Sequence, residues 1–319
     1  MAGTYDKLVV SAQHGRSAGD QAYAPVDAIS GVTAADAVKL RHAFGIETVK
    51  DLATSPHVRA AQTITDSAAG LDHDRGPDTD WSAFFETAPL AVYQAHPSKF
   101  RLDFGPVWYR GRLDGTARVL IVGQDPAANE LVGHRIFVGA SGQRIQGFLR
   151  KLGITRDYVM INTFLYPVFG QFSSLEALSH DAQIMGFRNA LLDRLANDNP
   201  LEAVIGVGRA GDDAVQHWPG LGNIPYEAIT HPSARDNVAL LADWNQGLGN
   251  LRPVVDEEFG VAQDPTPYGS DWTDADHVPI PRLDLPFGVP EWHGVGSRAT
   301  RGKKSNGSTD HKLIKWRAP

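Results

Sequence analysis

The sequence predicts an α/β fold, a three-layer α/β/α sandwich around a central four-stranded parallel sheet. Three observations predict it. From Ala117 to Val255 short apolar runs alternate with amphipathic segments, the pattern of strand–helix–strand units. The apolar runs are continuous rather than alternating, as in strands buried on both faces. Finally, 42% of the 319 residues are hydrophobic and 21% charged, enough apolar material for a full core.

The expected strands are Val119–Val122, Tyr158–Asn162, Ala203–Val207 and Ala228–Thr230. After the first, Ile145, Phe148, Leu149 and Leu152 recur at helical spacing, with Ser141 placed to cap that helix and Gly153 to end it. The next helix carries Ile184, Phe187, Leu191 and Leu195 on one face, and the last carries Val238, Leu241, Trp244 and Leu248. These stripes read as core.

Around this core (117–255) the chain divides into a poorly structured amino terminus (1–25), a helical extension packed on the core (26–116) and a Pro/Gly-rich carboxyl-terminal extension (256–319). Val26 to Ser55 has the spacing of a helix-hairpin-helix element, though two short helices over a sheet edge explain the same residues. Gly70 to Asp80 mixes acids with His73, and its Gly and Pro make it a solvated loop rather than a metal site. Pro279 to Trp292 reads as chain running extended along a surface, with Trp292 and Trp316 as anchors.

The absence of cysteine excludes disulfides, thiolate-bound zinc and cysteine-held iron–sulfur clusters. No apolar stretch has signal-peptide or membrane-spanning form, so a cytoplasmic protein with no membrane partner is expected. The formal charge of −7 opposes a nucleic-acid partner, but its distribution softens that. Arg298, Arg301, Lys303, Lys304, Lys312, Lys315 and Arg317 face Asp310 alone, giving +6 locally and −13 for the remainder. This tail reads either as a solvated end or as a contact for DNA.

In a parallel sheet the strand carboxyl ends open on one edge, where ligands bind. That edge collects Gln124 and Asp125 from Gly123-Gln124-Asp125-Pro126, then Asn162, the glycines around Arg209, and His231 with Ser233 from Thr230-His231-Pro232-Ser233. No glycine-rich phosphate fingerprint follows the first strand. The set is a carboxylate, an amide and an imidazole with an aromatic, Phe137, nearby.

Over roughly Arg118 to Leu251 these loops resemble the uracil-DNA glycosylase superfamily, mixing two of its branches. Gly123-Gln124-Asp125-Pro126 resembles the first motif of the housekeeping branch. Phe137-Val138-Gly139-Ala140-Ser141-Gly142 and His231-Pro232-Ser233-Ala234 resemble segments of the iron–sulfur branch and the second motif, without any cluster cysteine. The resemblance implies a cofactor-free, monomeric DNA-repair enzyme that removes uracil from single- or double-stranded DNA and leaves an abasic site. Asp125 would activate water and stabilise an oxocarbenium-like sugar. His231 would meet the charge on the departing base, Asn162 would read its edge through both halves of the amide, and Phe137 would stack on a base flipped out of its duplex.

Gln124 and Ala127 complete the expected substrate site, and Ser141, Gly142, Ser233 and Arg235 the contacts to DNA. Ala127 stands where the housekeeping branch has a tyrosine that blocks the methyl group of thymine, so Glu130, Leu131 or His134 would have to fill the space. Two alternatives follow: a glycosylase for another deaminated or mismatched base, and a non-catalytic module binding uracil-containing or abasic DNA.

Overall fold

One strand with two apolar faces organises the computed structural model. In β2 (Val119–Gly123) every residue is buried, Val119 and Ile121 in one core cluster and Leu120 and Val122 in another, as the pleat requires. The structure describes residues 8–55, 57–58, 61, 64–65, 73–290, 293–296 and 299–316. Gly70 to Asp72, Trp292, Arg298 and Arg317 lie outside them, as do residues 1–7.

The chain divides between Asp72 and His73 into two compact units, not at residue 117. In the first, residues 8–25 are structured where a poorly ordered end was expected. A short turn at Ser11–Gln13 and α1 (Ala18–Ala22) are joined by bridges from Val9 to Ile29 and from Pro25 to Thr48. Two capping boxes start α2 (Ala34–Phe44) at Thr33 with Asp36, and α3 (Val49–Thr54) at Thr48 with Asp51. Ala24, Val26, Ala28 and Ile46 are buried as this unit's own small core.

The second unit opens with α4 (Thr79–Phe85) and α5 (Leu90–Gln94). Its sheet contains β1 (Arg110–Gly111), β2, β3 (Tyr158–Asn162), β4 (Ala203–Val207) and β5 (Tyr226–Ile229), in the order β1-β3-β2-β4-β5. The four expected strands pair in parallel, and β1 adds a short antiparallel edge with Arg110 opposite Met160. β5 begins and ends slightly earlier than its apolar residues suggest.

Helices fill both faces, giving the three expected layers. Between β2 and β3 lie α6 (Ala128–Gly133) and α7 (Ala140–Lys151); α8 (Glu176–Ser179) and α9 (Ala182–Asp198) precede β4. Then come α10 (Gly208–Gln216) and α11 (Asn237–Leu251). α7 and α11 cover one face through Ile145, Phe148, Leu149, Trp244 and Leu248; α9 and α10 cover the other through Leu191, Leu195, Ala214 and Val215. Gly153 closes α7 in a left-handed conformation, as expected. Two details differ. Gly139, not Ser141, occupies the cap of α7, and Val238 is 62% exposed in the first turn of α11, where Leu240 is buried instead.

The carboxyl-terminal chain beyond α11 is extended but firmly embedded. Asp284 has no exposed surface, pairs with Arg112, accepts from the Tyr158 hydroxyl and lies 3.8 Å from Arg110. Ile280 and Leu285 pack on Val138. The segment expected to be a solvated loop is likewise held: Asp74 accepts from Arg135 Nε at 2.7 Å and from the Tyr109 hydroxyl at 3.0 Å. The basic tail is folded too, as an antiparallel hairpin of β6 (Ala299–Lys303) and β7 (Thr309–Trp316). Among the described residues no helix is long and apolar enough to cross a membrane.

Removing one side of a buried ion pair strands the other charge, at a cost of about 3–5 kcal/mol. Asp284→Ala is therefore expected to lower unfolding free energy by that order, measured by urea denaturation, because Arg110 and Arg112 lose their shared carboxylate.

Candidate active site

Every chemical group at the carboxyl edge of the sheet is set by a backbone constraint beneath it. Gly123 ends β2 directly opposite Asn162 at the end of β3. A side chain at Gly123 would come within 2.5 Å of Asn162 Oδ1 and 2.6 Å of the Phe137 ring, so a bare backbone there lets the amide and the ring meet. Thr163 N–H donates to the Gly123 carbonyl and Phe164 N–H to that of Gln124, both at 2.9 Å. The ladder thus continues past the strand into the Asp125 turn.

The Asp125 carboxylate is half-buried and oriented by two donors. Gln124 Nε2 reaches Oδ1 at 2.8 Å and the Val168 N–H reaches Oδ2 at 2.9 Å. Gln124 thus acts on the carboxylate.

Phe137 is buried with φ at +52°, a conformation that costs a bulky residue about 1–3 kcal/mol. Three contacts impose it. Glu130, at the third position of α6, accepts from Ala127 N–H at 3.1 Å and Val138 N–H at 3.2 Å. Gly142 lies so close to the Phe137 carbonyl that a Cβ would fall 1.6 Å from its oxygen. Val138 is packed under Ile280 and Leu285. Burial pushes the Glu130 carboxyl above its ordinary value, while the backbone N–H groups of Val138, Ala127 and Gly139 oppose that rise.

His231 follows β5, and α11 fixes the residue before it. Asp243 accepts from Thr230 N–H at 2.7 Å, and Trp244 Nε1–H donates to the Thr230 carbonyl at 2.8 Å. Gly208 has φ of +69°, and a Cβ there would stand 2.9 Å from His231 Cβ, so only glycine suits the start of α10. The His231 Nδ1 accepts from Ser233 N–H at 3.2 Å and sits 2.8 Å from Ser233 Oγ. A ring nitrogen that accepts from an amide carries no proton, which leaves the neutral ring's proton on Nε2. Burial holds the imidazole pKa below its ordinary value, favouring that neutral donor. Arg144 Nη1 supports the same turn through the Pro232 carbonyl at 2.5 Å.

A cleft of about 640 Å³ joins these groups and is lined by Gln124, Asp125, Ala127, Phe137, Asn162, Ser141, His231 and Ser233, all expected from the sequence. Two expected residues fall elsewhere. Gly142 is buried under the Phe137 carbonyl and away from the lining, and Arg235 is exposed beyond the cleft. Ser233 lines the cleft but is turned onto the His231 ring. Of the three residues considered for the space beside Ala127, only Glu130 lines the cleft; Leu131 is core and His134 exposed.

Sequence reasoning missed Val168 and the clamp of Asp243 with Trp244, and placed Gly208 at the edge without its role beneath His231. Only Glu130 carried a local signal, as a carboxylate three residues after Ala127 at a helix start. Among the described residues, His180, Asp213 and His217 bring metal-ligand types together. They lie outside the cleft, where the Asp213 carboxylate accepts from His180 Nε2 at 3.0 Å.

Residues 111–245 match the family described as the uracil DNA glycosylase superfamily. No curated protein matches the chain.

The His231 ring is expected to remain neutral to below pH 6.5, with its proton on Nε2. Nitrogen-15 correlation spectra of the ring, recorded from pH 5 to 8, check both features.

Proposed function

We propose, on the premise that this chain belongs to the uracil-DNA glycosylase superfamily through residues 111–245 and is thus a hydrolase of N-glycosyl bonds in DNA, that its base is uracil. The observation that carries this reading is the convergence on one cleft of an oriented carboxylate, a buried strand-end amide, an aromatic ring and a neutral imidazole donor.

A nucleotide rotated out of the duplex would enter with its base against Phe137, since the bond to be broken is inaccessible inside a stack. The Asn162 amide accepts from the uracil ring N–H through Oδ1 and donates to a carbonyl through Nδ2. Cytosine presents the opposite pattern, and leaving such buried groups unpaired discriminates strongly. His231 Nε2–H donates to the second carbonyl oxygen.

As the glycosidic bond breaks, its electron pair leaves with the base, and negative charge grows on the ring oxygens beside His231. Donors placed where charge develops are worth about 3 kcal/mol each in a water-poor site. The sugar becomes positive beside Asp125, whose carboxylate holds a water against the anomeric carbon and takes its proton as the new C–O bond forms. Free base and an abasic sugar result. We assign Ser141 and Ser233 to the phosphates flanking the flipped nucleotide, Arg235 to the duplex outside the cleft, and the working form to a monomer.

Ala127 favours a second reading. It is exposed on the cleft lining, and its own side chain has no ring to exclude a methyl group. An apolar pocket distinguishes one methyl by only about 1–3 kcal/mol, so thymine opposite guanine is a slower substrate on this reading.

End-labelled oligonucleotides carrying uracil, thymine opposite guanine, hypoxanthine or xanthine test both. Uracil is expected to be excised fastest, with thymine about 10–200-fold slower. Asp125→Asn is expected to lower kcat about 10²–10⁴-fold while keeping DNA binding, and His231→Ala about 10²–10³-fold. Binding without excision of any base would instead mark a non-catalytic module.

A further inference from the structure

We infer that the carboxyl-terminal hairpin of β6 and β7 is a DNA-backbone arm fixed beside the mouth of the cleft; this rests on the reading of the chain as a DNA glycosylase. Arg301, Lys303, Lys304, Lys312 and Lys315 stand on it against Asp310 alone, five positive charges to one negative, in a chain of net −7. Phosphate binding draws on such clusters, because each neutralised phosphate releases condensed counterions.

The hairpin's attachment gives these charges a place. Asn129 lines the cleft, and its Oδ1 accepts from the Ala299 N–H at 3.1 Å where the hairpin begins. β6 runs against α6, the short helix that follows the Asp125 turn. Ile314 of β7 is partly buried against the main core cluster. A two-stranded ribbon alone is marginal in water, so these anchors hold it in position. At about 3.3 Å per residue, β6 spans some 17 Å, the length of several phosphate steps.

Several cations of the second unit are already neutralised by acids. Arg112 is paired with Asp284, Arg118 with Glu202, Arg135 with Asp74, Lys151 with Asp264 and Arg194 with Asp198. Lys303, Lys304 and Lys315 are exposed, and among the described residues none of them forms an ion pair. An acidic protein that must approach a polyanion needs unpaired positive charge close to its reactive cleft, and the arm supplies it.

The test compares the full chain with the triple variant Lys303→Ala, Lys304→Ala, Lys315→Ala. Two readouts are taken over a salt series: fluorescence anisotropy with an undamaged duplex, and kcat and KM on a uracil duplex. Folding is checked by circular dichroism. The arm predicts that the slope of log affinity against log salt becomes shallower by about 2–3, near one per phosphate contact. KM should rise about tenfold or more at 0.1 M salt, with kcat at saturation unchanged. An excising wild type whose triple variant keeps slope and KM overturns the arm alone. A wild type that neither binds DNA nor excises any base overturns the arm and the glycosylase reading together.

Discussion

The burial of β2 on both faces is the constraint on which the rest depends. A strand that must hide Val119 and Ile121 under one helix layer and Leu120 and Val122 under the other can sit only in the middle of a parallel sheet. Its neighbours β3 and β4 then run in the same direction, and their carboxyl ends share one edge. The placement of Gly123 opposite Asn162 follows from that register, and so does the meeting of the Asp125 and His231 turns across the cleft.

Above this edge the structure spends free energy on one feature, the left-handed Phe137. A strained residue persists only where its surroundings determine it several times over. Here a single buried carboxylate, Glu130, ties the turn after Asp125 to the turn after Phe137. Buried beside the cleft, that carboxylate makes the distance between the carboxylate turn and the aromatic platform a property of α6 rather than of a loop.

The carboxyl-terminal chain completes the same platform. Leu285 and Ile280 lie under Val138, Gly147 is close enough to the Asp276 carbonyl that a Cβ would fall 2.4 Å from it, and Gln143 Nε2 donates to the Gly294 carbonyl at 2.8 Å. Asp284 fastens this strap to Arg112 and Tyr158 beside the β1 edge. Rigidity of the Phe137 turn is thus bought partly by residues more than a hundred positions away.

The sequence by itself determined the four parallel strands and the edge where Asp125, Asn162 and His231 gather, because apolar runs and helical stripes are local patterns with long-range consequences. The family match to residues 111–245 agrees with the reach of those patterns. Only the tertiary structure decided which polar atoms face one another. Ser233 reads as a contact for DNA alone until its N–H is seen on His231 Nδ1, and Gly142 reads as a DNA contact until the Phe137 carbonyl is seen against it. Asp74 reads as a solvated acid until Arg135 reaches it, and the basic tail as a loose end until Asn129 anchors it. The physical reason is common to all four. A hydrogen bond or a close contact between distant residues leaves no periodicity in either segment, whereas burial of a strand or a helix face writes its period into the chain.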